Sequence, residues 1–104
     1  MNPHEYASEI DAINDLRRSG FSADWEFRDN ALWDSVSGRR FRPGELTIVE
    51  HHRFEGASDP EDMAVVYAIE SEDGARGIVV DAFGAYANPR LADFLEKIMA
   101  REHA

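Results

Sequence analysis

The sequence predicts an α+β domain in which an antiparallel meander sheet of about five strands carries an N-terminal and a C-terminal helix on one face. Three observations predict it. Apolar residues recur at helical spacing near both ends, stretches of strand character fill the middle, and turn-forming pairs divide those stretches. With 104 residues, 43% of them hydrophobic, the chain has room for one core and not two, so residues 1–104 are read as a single domain.

The first helix is expected over residues 4–19. Tyr6, Ile10, Ile13 and Leu16 form its apolar side, with Glu5, Glu9, Asp11 and Asp15 largely on the other. Ser19-Gly20-Phe21 fits a C-terminal cap with Gly20 left-handed and Phe21 folded back on Leu16. Arg17 and Arg18 complement the helix dipole.

Asp24–Arg28 and Ala31–Asp34 alternate around Asp29-Asn30 and read as a weak hairpin at the sheet edge. Ser37-Gly38 is a further turn, and Pro43-Gly44-Glu45 a helical turn or tight bend. Arg39 to Arg42 is a basic cluster. It has the charge to grip an anion, but no phosphate-cradling glycine motif accompanies it, and it reads as a solvated loop offsetting nearby acids. Leu46–Glu55 is a strand, returned by residues 56–61. Asp59-Pro60 there is a turn opener, since the ligand spacing and closing glutamate of a calcium loop are missing.

At the centre lies a hairpin turning at Asp73-Gly74, a pair suited to a two-residue type I′ turn. That turn pairs Ile69 with Ile78, Tyr67 with Val80 and Val65 with Ala82. A four-residue loop closed by Ser71 and Arg76 gives the same pairing. Met63, Val65, Tyr67, Ile69, Ile78, Val80 and Ala82 then share an apolar core face. Ala64, Val66, Ala68, Val79 and Phe83 lie opposite, with Asp81 among them. The last helix opens on Asn88 as N-cap and Pro89 at the first helical position. Leu91, Phe94, Leu95, Ile98 and Met99 make its apolar stripe, with Lys97 and Arg101 toward its C-terminal end.

One polar constellation follows from this register. If Glu55 opposes Asp62, Phe54 meets Met63 and Ile48 meets Ile69 on the core face. His51, Val66 and Asp81 then form one row on the other face, with Arg53 in the next row beside Ala64. A carboxylate, a guanidinium and an imidazole on one partly apolar face are ingredients for acid-base chemistry or for gripping a polar ligand. Asp81 and His51 are the catalytic candidates, and Arg53, Asp81 and His51 the ligand-binding ones. The plainer alternative is that Asp81 pairs with Arg53 or caps a backbone amide while His51 stays exposed. Glu50 and His52 fall awkwardly on the core face, so they pair with Tyr67 and each other, or a bulge shifts the strand.

Composition narrows the function classes. No cysteine is present, which removes disulfides, thiolate chemistry and cysteine-based metal sites. His51 and His52 are neighbours on a strand and point to opposite faces, so no metal site and no cofactor is expected. A net charge of −10 disfavours nucleic acid and membrane surfaces as partners. The N-terminus is acidic where a secretory signal is basic and then apolar, and a cytoplasmic location is expected. No nucleophile-base pair stands out. The reading is therefore a non-catalytic binding, interaction or regulatory domain for an unknown small molecule or protein, with a small-molecule enzyme centred on Asp81 as the alternative. Because the central strands are apolar on both faces, a second subunit is one candidate to cover the second face, giving a homodimer.

AINDLRRSGF and, above all, RFEGASDPEDMAVVYAIESEDGARGIVVDAFGAYA resemble a family of small bacterial proteins often labelled phosphoribosylpyrophosphate synthetase. The resemblance covers most of the chain and is most specific in RFEG, VYAI and VDAFGAYA. It implies a small bacterial cytoplasmic domain and brings no catalytic residues with it. Relatives tend to carry apolar or aromatic residues just before RFEG, where this chain has His51-His52. The labelled activity requires ATP, magnesium and ribose phosphate to be held together. This chain has no glycine-rich loop between a strand and a helix and is too short for two substrate sites, so that activity is not expected.

Overall fold

The computed structural model describes residues 9–54, 64–82 and 88–102. In chain order these form α1 (Glu9–Arg18), β1 (Ala23–Arg28), β2 (Ala31–Asp34), β3 (Arg40–Phe41), a 3-10 turn at Pro43–Glu45, β4 (Leu46–Phe54), β5 (Ala64–Ser71), β6 (Arg76–Ala82) and α2 (Pro89–Glu102). The architecture is α+β, and the strands make one six-stranded sheet in the order β3-β2-β1-β6-β5-β4. The expected start of the first helix, the Asp59-Pro60 turn, Met63, Phe83, His4 and His103 lie outside the described residues.

The sheet is two antiparallel three-stranded meanders joined edge to edge, rather than one meander of five strands. β1–β2–β3 and β4–β5–β6 are each antiparallel, and β1 meets β6 in parallel through Ala23↔Gly77 and Asp24↔Ile78. The Asp24–Asp34 hairpin therefore sits inside the sheet, and part of the basic cluster becomes the edge strand β3. Gly77 makes the junction possible. A Cβ there would collide with the Ala23 carbonyl oxygen and lie 2.7 Å from the Trp25 ring. Over that bare glycine the Trp25 indole N–H reaches β5 and donates to the Ile69 carbonyl at 3.2 Å.

Each local turn signal has a visible cause. Phe21 N–H donates to the Leu16 carbonyl and Gly20 N–H to that of Arg17, with Gly20 at φ 107°, which completes a Schellman cap on α1. Asp29 and Asn30 both have positive φ, as a type I′ hairpin demands. Asn88 Oδ1 accepts the N–H groups of Arg90 and Leu91, capping α2.

One turn and one strand differ from expectation by a residue, and each difference turns a strand over. Between β5 and β6 the loop is Glu72-Asp73-Gly74: Gly74 N–H donates to the Ser71 carbonyl, Ser71 N–H donates to that of Ala75, and Gly74 alone is left-handed at φ 92°. This is a turn closed by a glycine bulge in place of a two-residue I′ turn. The Ser71 hydroxyl and the Asp73 carboxylate hold it, both accepting the Ala75 N–H, while Ser71 also donates to Asp73. The pairing becomes Ile69↔Gly77, Tyr67↔Val79 and Val65↔Asp81. In β4 the register shifts between Ile48 and Glu50. Ile48 still meets Ile69, but beyond the bulge His51 meets Tyr67 and Arg53 meets Val65.

The helices pack on opposite faces of the sheet, not on one. α2 buries Leu91, Phe94, Leu95 and Ile98 against Trp25, Leu32, Phe41, Leu46, Ile48, Ile69 and Val79. α1 and its cap bury Leu16 and Phe21 against Val66 and Ala68, with Phe54 and Ile78 alongside. Alternation along β5 sends Tyr67 and Ile69 to α2 and Val66 and Ala68 to α1, so a strand apolar on both sides is covered on both. On the second face α1 covers Val66 and Ala68, while Val80 beside Val66 stays 41% exposed. Among the described residues no helix is long and apolar enough to cross a membrane.

Candidate functional site

Asp81, Arg53 and His51 do share a face, although not the expected one. Both β4 beyond its bulge and β6 beyond its turn are flipped relative to β5, so the three stay together and move to the α2 side. Arg53, Val65 and Asp81 now form one row across β4, β5 and β6, while His51 lies in the next row, opposite Tyr67. Neighbouring strands are about 4.8 Å apart, which separates the Arg53 and Asp81 backbones by roughly twice that.

Tyr67 joins them. Its ring stacks on the His51 imidazole with centroids 5.9 Å apart and planes at 30°. Burial raises the pKa of its phenol, the negative charges of Asp81 and then Glu96 raise it further, and the Arg53 guanidinium opposes them. Glu96, on the exposed side of α2, thus extends the cluster from helix to sheet. Sequence reasoning placed Tyr67 in the core and passed over Glu96. The available signal for Tyr67 was a lone hydroxyl in an otherwise apolar row, a group that seeks a polar neighbour when buried.

Asp81 is the least satisfied member. It is 7% exposed, and among the described residues its Oδ1 is buried without a hydrogen-bond partner. Burial raises its pKa above the ordinary carboxylate range. Among the described residues its Oδ1 lacks the partner that a pair with Arg53 or a backbone cap would give it. His51 and Arg53 are exposed at the rim, on the sheet's edge strand. The cluster offers a desolvated carboxyl as acceptor or proton carrier, a phenol beside it, and a guanidinium at the rim.

Glu50 and His52 point to the other face, beside Ala68 and Val66, because of the bulge. They also approach each other, His52 Nε2 lying 3.5 Å from Glu50 Oε2. Among the described residues no group of three or more His, Cys, Asp or Glu side chains is placed to hold a metal ion.

The fold and cluster define a small α+β domain with an ionisable group of side chains at one end of a helix-covered sheet face. No protein-family model, curated protein or solved structure matches the chain.

Proposed function

We propose that this protein is a small cytoplasmic binding or regulatory domain, non-catalytic, that takes a small polar ligand at the cluster of His51, Arg53, Tyr67 and Asp81. The observation that carries this reading is the buried Asp81 Oδ1 with no donor of its own among the described residues. An unsatisfied buried acceptor costs roughly 1–3 kcal/mol, and a ligand N–H or O–H arriving there relieves that cost. The fitting ligand presents a donor to Asp81 and an acceptor or anionic group to Arg53. The net charge of −10 favours such a molecule over nucleic acid or an anionic membrane. The resemblance to small bacterial proteins favours a bacterial, cytoplasmic setting and names no ligand.

A metabolite-library thermal-shift screen on wild type and Asp81→Asn tests it. A ligand at a hundred times its Kd stabilises the native state by about 2.7 kcal/mol. At least one compound is expected to shift wild type and to lose its effect in Asp81→Asn. A library that shifts neither protein overturns the reading and points to a protein partner.

One observation favours a second reading, an enzyme centred on Asp81. Two proton-carrying groups with raised pKa, Tyr67 and Asp81, lie on adjacent strands, and the Asp81 charge is one cause of the rise at Tyr67. Here Asp81→Asn abolishes turnover of the ligand found in the screen, and Tyr67→Phe lowers turnover while the ligand still binds.

A further inference from the structure

A second candidate site lies toward the opposite edge of the sheet. A cavity of ≈ 300 Å³ opens between the β1–β2 hairpin tip and the start of the 3-10 turn, lined by Asp29, Asn30, Ala31, Arg40, Arg42 and Pro43. Its origin is a matter of alternation. Leu32 and Phe41 pair across β2 and β3 and are both buried in the α2-side core. Their neighbours Trp33 and Arg40 therefore turn to the other face. α1 packs on the β5–β6 part of that face, and Arg40 and Arg42 remain exposed at the β3 end.

The local charge runs against that of the chain. Asp29 lies 3.7 Å from the Arg28 guanidinium, which also approaches Glu26 at 3.7 Å, and Arg39 is bound to Asp73. Among the described residues Arg40 and Arg42 make no ion pair; Arg40 leans over the Trp33 ring, 5.9 Å from its centroid. Two exposed guanidinium groups without an ion pair, against the one Asp29 carboxylate in the same lining, make a locally basic cavity in a protein of net charge −10, and that suits an anion. Guanidinium groups present fixed forks of N–H donors that match the paired oxygens of carboxylate and phosphate.

We propose that this cavity binds the oxyanion group, carboxylate or phosphate, of a small molecule, held by Arg40 and Arg42 with the Asn30 amide as a further donor. Its volume is at the lower end of the roughly 300–1,000 Å³ spanned by small-molecule sites, so the ligand is compact. Ala31 and Pro43 supply the apolar wall against which the rest of it rests.

The test is an NMR titration of the full chain with inorganic phosphate, with succinate, and with sodium chloride at matched ionic strength. Saturable shifts at Arg40, Arg42 and Asn30 are expected with phosphate or succinate and not with chloride. Saturation by phosphate alone assigns the ligand to phosphate esters, and by succinate alone to carboxylates. The double variant Arg40→Gln/Arg42→Gln should weaken binding at least tenfold with dispersed native spectra retained, whereas Arg18→Gln, on the exposed surface of α1, should leave it unchanged. Shifts that follow ionic strength equally in all three salts, or binding undiminished in the double variant, overturn the proposal.

Discussion

Arg53 and Asp81 stand in one row of the sheet with Val65 between them, and among the described residues the Asp81 Oδ1 is buried with no hydrogen-bond donor. Burial raises its pKa. A carboxylate in that position weakens the fold it belongs to, and the consequence is measurable.

Asp81→Asn is expected to stabilise the protein at neutral pH by about 1 kcal/mol, or a Tm rise of about 4–8 °C for a domain of this size. The sign follows from linkage. A raised folded-state pKa means that the native protein binds more protons than the unfolded chain between the ordinary carboxylate range and the folded value. Wild-type stability contributed by Asp81 therefore falls as pH rises through that window and is level above it. The advantage of the Asn variant should shrink as pH is lowered through the same window, as read by urea unfolding at several pH values.

Asp73 shows the opposite behaviour. The Ser71 hydroxyl, then the Ala75 N–H, and more weakly the Arg39 guanidinium, hold its pKa below the ordinary carboxylate range. Its contribution is present above that range and is lost as pH falls through the lowered value. Asp73→Ala should destabilise at pH 7, and wild type and variant should converge in strong acid.

Two glycines separate conformational strain from steric exclusion. Gly74 has φ 92°, and the space that a Cβ would occupy there is open to 4 Å, so Gly74→Ala should cost about 1 kcal/mol through backbone strain alone. At Gly77 the added carbon meets the Ala23 carbonyl and the Trp25 ring, and Gly77→Ala should cost about 3 kcal/mol. Chemical denaturation of both variants checks the order, and loss of the Trp25 fluorescence environment should accompany only the second.

Tyr67 reports on the cluster. Its phenol should titrate above the ordinary range by NMR, and Asp81→Asn should bring it part of the way down, since burial is the larger cause and the Asp81 charge the next. A Tyr67 titration indifferent to Asp81→Asn would mean that the two groups are not coupled.

Much of the fold was legible in local chemistry. The Schellman cap at Gly20, the Asn88 N-cap, the Asp29-Asn30 turn, the 3-10 turn at Pro43 and the stripe Leu91, Phe94, Leu95 and Ile98 are decided within a few residues of chain, where spacing and side-chain type leave few alternatives. Asp81, Arg53 and His51 were legible as a group because both register changes move them together. Tyr67 was not legible as their neighbour, since the turn held by Ser71 and Asp73 and the β4 bulge decide which residues of β6 and β4 share its face.

The amino-acid sequence by itself determined the α+β class, the two amphipathic helices with their caps, and the presence of an aspartate in an apolar strand. Tertiary structure alone decided the parallel β1–β6 junction over Gly77, the placement of the helices on opposite faces, and the row in which Asp81 stands. The physical reason is the two-residue period of a strand: one residue gained in a bulge or a turn reverses every side chain beyond it. Local propensity does not register that difference, and packing of Trp25, Tyr67 and Val79 beneath α2 does.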